Sequence, residues 1–258
     1  MHETPLWTGP EANRIAPLTP NAWLRFDVVA GLLPADVKTV LEVGCGQGAL
    51  GVRLARHHGY LGLEPDPASF AVARQRFALT GRGEVREAHT SALAAGETFD
   101  LVCAFEVLEH IEDDAAALTE WVARIRPGGM LLVSVPAHER RYGPSDELVG
   151  HFRRYDPETM RALLRRCGLE DIELRQYGMP LGYVLEAGRN AIGRRRLAAT
   201  PEASMAERTG ASGRLFQPQG ALRSSASQWG TAPFRTVQRH FPQRGTGLVV
   251  RARLAAKV

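Results

Sequence analysis

The sequence predicts an α/β fold in which a parallel sheet is covered by helices on both faces. Three observations support this prediction. Short apolar segments typical of strands alternate with amphipathic segments typical of helices from residue 39 to residue 135. Glycines at alternate positions follow the first strand, which suits a tight turn into a helix. Hydrophobic residues make up 44% of the 258 residues, enough for a substantial core.

The first segment of the chain is rich in proline and contains one predicted helix. The stretch NAWLRFDVVAGLL begins at Asn21, which we interpret as the N-cap. Trp23, Phe26 and Val29 recur near helical spacing and predict a face that packs against a core. We therefore interpret residues 1–36 as an N-terminal lid helix region rather than a separate domain.

Five strands and three helices are predicted in the central part of the chain. The strands are TVLEVG, YLGLEP, EVREAH, FDLVCAF and RPGGMLLVSVP. The helices are ALGVRLARH, PASFAVARQRFAL and DDAAALTEWVARI. Because helices connect successive strands, the strands run parallel, and their carboxyl ends meet at the edge where such sheets bind ligands.

The regular alternation ends after Val135. A polar loop over residues 137–156 leads to a helix (PETMRALLRRCGL), a strand (DIELRQY) and a second helix (GYVLEAGRNAIGRRRL). Residues 198–233 are rich in Ala, Ser, Gly, Thr and Pro, which predicts a mobile or only partly helical segment. The stretch GTGLVVRARL is the last predicted strand.

Charge is distributed unevenly along the chain. Residues 1–136 contain 11 basic and 17 acidic side chains, whereas the remainder contains 21 and 11. All but two of the 32 basic side chains are arginines, which is compatible with a GC-rich genome. The alternative is a C-terminal half that faces an anionic partner.

Cysteine spacing and hydropathy give expectations about location. Cys45, Cys103 and Cys167 lie far apart without a C-x-x-C pair, so we expect neither a disulfide framework nor a metal site. No apolar run approaches the roughly 20 residues that cross a bilayer, and the N-terminus lacks the pattern of a secretory signal. We expect a cytoplasmic protein without a membrane partner.

The turn VLEVGCGQGALGVRLA is compatible with two kinds of ligand. The pattern G-x-G-x-x-A through Ala49 satisfies the dinucleotide-binding pattern. However, Glu42 stands two places before the first glycine, which is unfavourable beside a pyrophosphate and suits a ligand with an ammonium group. Glu64, at the end of the second strand, can accept both hydroxyls of a ribose in either ligand.

Four segments in order resemble the motifs of class I S-adenosylmethionine-dependent methyltransferases: VLEVGCGQG, GLEPDP, FDLVCAFEVLEHIED and RPGGMLLVSVP. The resemblance is to the small-molecule group that includes ubiquinone-type O-methyltransferases and bacterial natural-product methyltransferases. It covers about residues 38–136, with weaker likeness to about residue 180. It implies a Rossmann-like, mostly parallel sheet of seven strands whose last strand is antiparallel. Residues 1–258 then form a single methyltransferase domain, with residues 198–233 as an insertion before the last strand.

The resemblance also implies S-adenosylmethionine as the cofactor and assigns residues to it. Glycines would surround its homocysteine and ribose, and carboxylates would bind its amino group and ribose hydroxyls. The residues placed around the cofactor are Glu42, Gly44, Gly46, Gly48, Glu64, Pro65, His89, Thr90, Phe105 and Glu106. At the adenine contact the family often has an aspartate followed by a small residue, whereas His89 and Thr90 stand there in this chain.

The loop over residues 137–156 would lie beside the transferred methyl group, and we expect its GHFRRY stretch to form the acceptor wall. His151 is the candidate general base or hydrogen-bond partner. Arg154 or Tyr155 would anchor an anionic or phenolic group of the acceptor. His110 in VLEHI is interpreted as holding the turn after the fourth strand.

The predicted function is methyl transfer to a small-molecule or short-peptide acceptor, with oxygen favoured as the methylated atom and an anionic acceptor among the candidates. The alternatives are a nucleic-acid methyltransferase, an NAD-dependent oxidoreductase, and a binding protein that keeps the fold without turnover. Against nucleic acid, FEVLEH stands where a D/N-P-P-Y-type sequence would follow the fourth strand, and lysine is nearly absent. The sequence does not address the oligomeric state.

Overall fold

The computed structural model describes residues 8–199 and 221–256. The strands are β1 (Thr39–Val43), β2 (Gly59–Leu63), β3 (Glu84–Arg86), β4 (Phe99–Phe105), β5 (Ile125–Pro136), β6 (Leu169–Gly178) and β7 (Gly245–Leu254). The helices are α1 (Pro10–Ile15), α2 (Pro20–Leu32), α3 (Gly51–Leu54), α4 (Pro67–Thr80), α5 (Asp114–Val122), α6 (Pro144–Val149), α7 (Pro157–Arg166), α8 (Leu181–Ala199) and α9 (Ala221–Arg239). None of these helices is long and apolar enough to span a membrane.

The seven strands form one sheet in the order β3-β2-β1-β4-β5-β7-β6. Strands β1 to β5 pair in parallel, and β7 is antiparallel to both of its neighbours. The predicted seven-stranded sheet with an antiparallel last strand is therefore confirmed. The chain reverses its direction of progress across the sheet between β1 and β4, which places a crevice at the carboxyl ends of these strands.

A hydrophobic core lies on each face of the sheet. Leu101 and Val102 are adjacent in β4 and fully buried, yet they belong to different cores. One core contains Trp23 from α2, and the other contains Trp121 from α5. Because side chains alternate across a strand, both faces of β4 must be covered, and the prediction of helices on both faces is confirmed.

Helix α2 begins at Pro20, two residues before the start that an N-cap at Asn21 predicts. The Thr19 hydroxyl, not the Asn21 side chain, caps the helix by accepting a hydrogen bond from the Ala22 amide at 3.1 Å. Pro20 occupies the first helical position, where its missing N–H costs nothing. The expectation that Asn21 is the N-cap is wrong, and Asn21 lies in the first turn. The predicted apolar residue Trp23 is buried in the core.

Two other segments differ from the sequence-based expectations, and a third, expected to be mobile or partly helical, is helical over part of its length. The predicted helix ALGVRLARH contains only the single turn α3, because β2 already begins at Gly59. The loop over residues 137–156 contains the short helix α6. Within the predicted insertion over residues 198–233, residues 221–233 are helical in α9, and residues 200–220 lie outside the described part of the chain.

Tertiary contacts account for the helix at α9. The amide of Gln238 donates to the Leu24 carbonyl at 2.9 Å, and its oxygen accepts from the Gly178 amide at 3.0 Å. Gln238 is almost completely buried by these contacts with α2 and β6. Packing of this kind stabilises helices whose composition alone does not predict them.

A buried arginine connects the N-terminal helices to the turn after β1. Arg53 in α3 is fully buried, and its guanidinium donates to the Ala16 carbonyl at 2.8 Å, to the Asn13 amide oxygen at 2.9 Å and to the Ala49 carbonyl. Burial lowers the pKa of Arg53 to about 9. The charge also lies 5.6 Å from the centre of the Trp23 ring. Among the described residues no carboxylate pairs with it, so neutral oxygens and the ring stabilise the charge.

We expect Arg53→Met to lower the free energy of unfolding by about 3 kcal/mol, because several buried oxygens lose their hydrogen-bond donor. Urea denaturation followed by circular dichroism measures this loss. The exposed Arg82→Met is the matched control and should change stability by less than about 0.5 kcal/mol. Equal stability of the two variants would contradict the role given to Arg53.

Candidate active site

A cavity of about 500 Å³ lies at the carboxyl ends of the parallel strands. Strand ends and the turns that follow them form its floor, and α2, α6 and α8 contribute its walls. Residues that line it include Asn21, Arg25, Glu42, Gly44, Gly46, Glu64, Pro65, Phe105, Glu106, His110, Asp146, His151, Arg154, Tyr177, Glu186 and Arg189. Most of the predicted site residues are thus brought together in one cavity.

The three predicted glycines after β1 have different surroundings. All three have left-handed backbone conformations, with φ of 66° at Gly44, 55° at Gly46 and 72° at Gly48. A Cβ at Gly44 would lie 2.7 Å from a Val107 methyl group, and one at Gly48 would lie 2.9 Å from the Phe77 ring. Gly46 has open space in this position and lines the cavity, whereas Gly48 lies outside the lining. Close packing therefore requires glycine at Gly44 and Gly48, and ligand access favours it at Gly46.

Glu64, at the end of β2, is hydrogen-bonded to the glycine turn. Its Oε2 accepts from the Gly46 amide at 2.7 Å, and its Oε1 accepts from the Asp66 amide at 2.9 Å. Burial raises the pKa of Glu64, and these two hydrogen bonds oppose the rise. Each oxygen keeps a further lone pair, so the carboxylate can still accept hydroxyl donors from a ligand. Pro65 follows it in the cavity wall.

Glu42, in β1, is a buried carboxyl group beside the same turn. Its Oε2 accepts a hydrogen bond of 2.6 Å from the Tyr60 hydroxyl. Burial raises the pKa of Glu42 to about 7, although the Tyr60 hydrogen bond and the Arg25 charge oppose the rise. Glu42 therefore exchanges its proton near neutral pH, and a ligand cation would favour the ionised form.

Glu106 follows β4 in a strained conformation. Its φ of 59° lies in a region that side chains other than glycine rarely adopt. Its Oε1 accepts from the Ser134 hydroxyl at 3.0 Å and the Tyr177 hydroxyl at 3.1 Å, and Arg25 Nη1 lies 3.5 Å away. Together with Phe105, these contacts fix the carboxylate at the junction of β4, β5 and β6.

Besides Gly48, two further predicted cofactor residues, His89 and Thr90, lie outside the cavity lining. His89 is exposed at the start of a short 3₁₀ turn. Thr90 is buried beneath that turn, and its carbonyl accepts a hydrogen bond from Arg124 at 3.3 Å. The hydrogen bond from Arg124, which follows α5, joins parts of the chain that are distant in sequence. The sequence alone therefore could not predict the position of Thr90.

Arg154 and Tyr155 face opposite sides of the loop. Tyr155 forms a bridge with Ala137, and its hydroxyl donates to Asp114 at 2.8 Å within the core. It is 2% exposed and does not line the cavity, so the structure does not place it at an acceptor. Arg154, the preceding residue, points into the cavity because side chains alternate along an extended segment.

The guanidinium of Arg154 is already compensated by two buried carboxylates. Its Nε donates to Asp146 at 2.9 Å, its Nη2 lies 2.7 Å from the same carboxylate, and its Nη1 pairs with Glu186. Glu186 also pairs with Arg141. Arg154 thus lines the cavity as expected of an acceptor residue, but its charge is already paired with Asp146 and Glu186, which does not favour the predicted role as an anchor for an anionic acceptor.

His151 is oriented by Asp146, a residue that sequence reasoning missed. Asp146 Oδ1 accepts from His151 Nδ1 at 2.8 Å, an assignment of the ring proton that leaves a lone pair on Nε2. Burial opposes ionisation of Asp146, but hydrogen bonds from His151 and Arg154 hold its pKa below the usual value. The other ring nitrogen, Nε2, lies 3.8 Å from Glu109 Oε1 and makes no hydrogen bond to it. A carboxylate on one imidazole nitrogen and a lone pair on the other is an arrangement suited to a general base.

Glu109, His110 and His151 form a second cluster beside this pair. Their ligand atoms lie within 4.8 Å of one another, a spacing that a metal ion can bridge. Glu109 is fully buried, neither carboxylate oxygen has a hydrogen-bond partner among the described residues, and burial raises its pKa well above the usual value. Burial lowers the pKa of His110 to about 3, so its ring is neutral. From the sequence we expected no metal site. The sequence does not show that His151, on a separate loop, faces Glu109 and His110.

Helix α2 supplies two cavity residues that sequence reasoning did not assign. Asn21 Oδ1 is buried without a hydrogen-bond partner among the described residues, and Asn21 lines the cavity. Arg25 lies one turn further along the same face and also lines it. The aromatic residues of this helix, Trp23 and Phe26, point into the core instead.

Comparisons with known proteins agree with the motifs and the fold. Residues 41–131 match a family model described as a methyltransferase domain. A ubiquinone biosynthesis O-methyltransferase from Methylobacterium nodulans is 36% identical over 108 residues, which is 40% of this chain and 42% of the relative. The chain therefore spans less than half the length of this curated relative in the match.

Two solved structures share the fold. The [4+2]-cyclase SpnF superposes with a TM-score of 0.61 at 19% identity, over 92% of this chain and 82% of the other. A possible histamine N-methyltransferase from Thermotoga maritima has a TM-score of 0.52 at 19% identity, over 90% of this chain and 86% of the other. At these identities the likeness shows the fold alone.

The pKa of Glu42 predicts a pH dependence of stability. Between its ordinary value of 4.5 and about 7, the unfolded chain releases this proton while the folded chain retains it. Rising pH therefore favours unfolding in this window, by about 3 kcal/mol in total. Urea denaturation from pH 4 to pH 8 should show this decline in the native protein.

Glu42→Gln should remove that part of the decline, whereas the exposed Glu87→Gln should retain it. An unchanged pH dependence in Glu42→Gln would show that the group does not titrate in this range.

Proposed function

We propose that this chain methylates a small-molecule or short-peptide acceptor at oxygen. The premise is that residues 41–131 form a domain of the class I S-adenosylmethionine-dependent methyltransferases. The observation that carries the proposal is the pair of buried carboxyl groups, Glu42 and Glu64, on either side of the glycine turn. A dinucleotide would bring its pyrophosphate close to both groups, which is electrostatically unfavourable. S-adenosylmethionine brings an ammonium and a sulfonium, which both groups favour.

The residues around the turn suit the parts of this cofactor. Glu64 accepts the ribose hydroxyls while it keeps its hydrogen bonds to the turn. Glu42 and the unpartnered Asn21 Oδ1 are acceptors for the amino group. Phe105 and Glu106 line the methionine end. When bound, the cofactor supplies an electrophilic methyl group on a positively charged sulfur.

His151 supports oxygen as the methylated atom. Its Nε2 can take the proton of an acceptor hydroxyl, and Asp146 then stabilises the imidazolium that forms. A neutral amine acceptor would not need this base. The ubiquinone biosynthesis O-methyltransferase among the relatives agrees with this choice, whereas the Thermotoga maritima neighbour is named as a possible N-methyltransferase.

A fold of this kind does not establish methyl transfer by itself, since one neighbour is named as a [4+2]-cyclase. The second candidate function is therefore a protein that binds the cofactor without methyl turnover. Labelled methyl transfer distinguishes the two.

Calorimetry with S-adenosylhomocysteine and with NADH tests the choice of cofactor. We expect S-adenosylhomocysteine to bind and NADH not to bind. Glu64→Gln should weaken binding of S-adenosylhomocysteine about tenfold or more, because hydrogen bonds from the ribose to a charged acceptor are lost. Glu87→Gln is the control with the same charge change and should bind normally. Binding of NADH alone would refute the proposal.

Transfer of tritium from methyl-labelled cofactor to a panel of phenols and hydroxy acids tests the chemistry. We expect His151→Gln to lower kcat at least about 100-fold, with the KM for the cofactor nearly unchanged. The exposed His240→Gln should retain full turnover. Full activity of His151→Gln would exclude the base.

A chelator separates the base from a metal ligand in the same assay. Activity should survive EDTA if His151 accepts a proton. Loss with EDTA and recovery with a divalent cation would show that His151 acts together with Glu109 and His110 as a metal ligand.

A further inference from the structure

Three arginines line the cavity, and they differ in how their charges are compensated. Arg25 lies 3.5 Å from Glu106, and Arg154 is held between Asp146 and Glu186. Arg189 lines the same cavity from α8, is partly buried, and pairs with no carboxylate among the described residues. It is therefore the arginine whose charge the cavity leaves uncompensated.

The carboxylate nearest to Arg189 in the chain is already occupied. Glu186 precedes Arg189 by one helical turn and is 2% exposed. Its Oε1 accepts from Arg154, and its Oε2 accepts from Arg141. Both oxygens therefore accept from other guanidiniums, and neither pairs with Arg189.

Arg189 is close enough to Tyr177 to influence its hydroxyl. Burial and the nearby Glu106 raise the pKa of Tyr177, and the charges of Arg25 and Arg189 oppose this rise. The Tyr177 hydroxyl donates to Glu106 at the end of β4. Arg189 thus lies near the part of the cavity in which the proposed function places the methyl group. The next residue, Asn190, accepts a hydrogen bond from the Ser145 amide of α6 at 3.0 Å, so α6 lies beside this part of α8.

Arg25 and Arg189 differ in their relation to the proposed cofactor. Arg25 opposes the rise of the Glu42 pKa, so it lies near the amino-acid end of the proposed cofactor. Arg189, one turn after Glu186 in α8, lies beside the network of Asp146, Arg154 and Glu186. The cofactor carboxylate therefore matches Arg25, and Arg189 remains for the second substrate.

We propose that Arg189 binds an anionic group of the acceptor, so that the substrate is a hydroxylated carboxylic acid or phosphate ester. The inference rests on the proposed function and specifies its substrate class. A guanidinium presents a planar pair of donors that matches a carboxylate or phosphate, and partial burial strengthens the charge-assisted hydrogen bonds. The anionic end binds at α8, and the hydroxyl is presented to His151.

Calorimetry on protein saturated with S-adenosylhomocysteine tests the proposal without turnover. The probes are para-hydroxyphenylacetate, para-hydroxybenzyl phosphate and the neutral para-hydroxyphenylethanol. The native protein should bind at least one anion about tenfold or more tightly than the neutral probe. The two anionic probes distinguish a carboxylate from a phosphate.

Arg189→Met should abolish the preference for the anion, and Arg189→Lys should retain part of it. Arg195→Met, on the exposed side of α8, has the same change in net charge and should behave as the native protein. None of these changes should alter the affinity for S-adenosylhomocysteine.

Three results would overturn the inference: no preference for either anion in the native protein, a preference that survives Arg189→Met, or an equal loss in Arg195→Met. Weaker binding of S-adenosylhomocysteine to Arg189→Met would assign Arg189 to the cofactor carboxylate instead. Failure of the native protein to bind S-adenosylhomocysteine at all would refute the proposed function separately, before any acceptor probe is added.

Discussion

The acceptor side of the cavity depends on the hydrogen bonds that the buried carboxylate of Asp146 accepts. It accepts hydrogen bonds from the Gly143 amide at 2.9 Å, from Arg154 and from His151 Nδ1. One buried group thus fixes the start of α6, neutralises a buried arginine and sets the direction of the His151 ring. A buried charge is tolerated in this way only when several donors satisfy it, so none of the three partners is independent of the others.

The sequence predicted the features that local patterning determines, and it missed those that depend on contacts between distant parts of the chain. The strands β1 to β5 and the residues Glu42, Gly44 and Glu64 belong to contiguous motifs, and local patterning was sufficient to find them. Helix α9 was anticipated only as a mobile or partly helical stretch, because its stability comes from contacts with α2 and β6 rather than from composition.

The same distinction applies to the residues of the candidate site. Asp146, Arg25 and Arg189 reach the cavity from three separate elements, and no pattern in the chain indicates that they meet. Arg154 and Tyr155 are adjacent, so only the register of the bridge at Ala137 decides which of them faces the cavity. For this reason the sequence indicated a loop that lines the cavity but not which of these two side chains faces it.

The hydrogen bonds of Arg53 also restrict how a ligand can reach the cavity. They join the backbone before α2 to the carbonyl of Ala49, directly after the glycine turn. Swinging α1 and α2 outward would strand a positive charge in an apolar core, so the N-terminal wall and the floor behave as one rigid body. We therefore expect ligands to reach the cavity without movement of α1 and α2 away from the glycine turn.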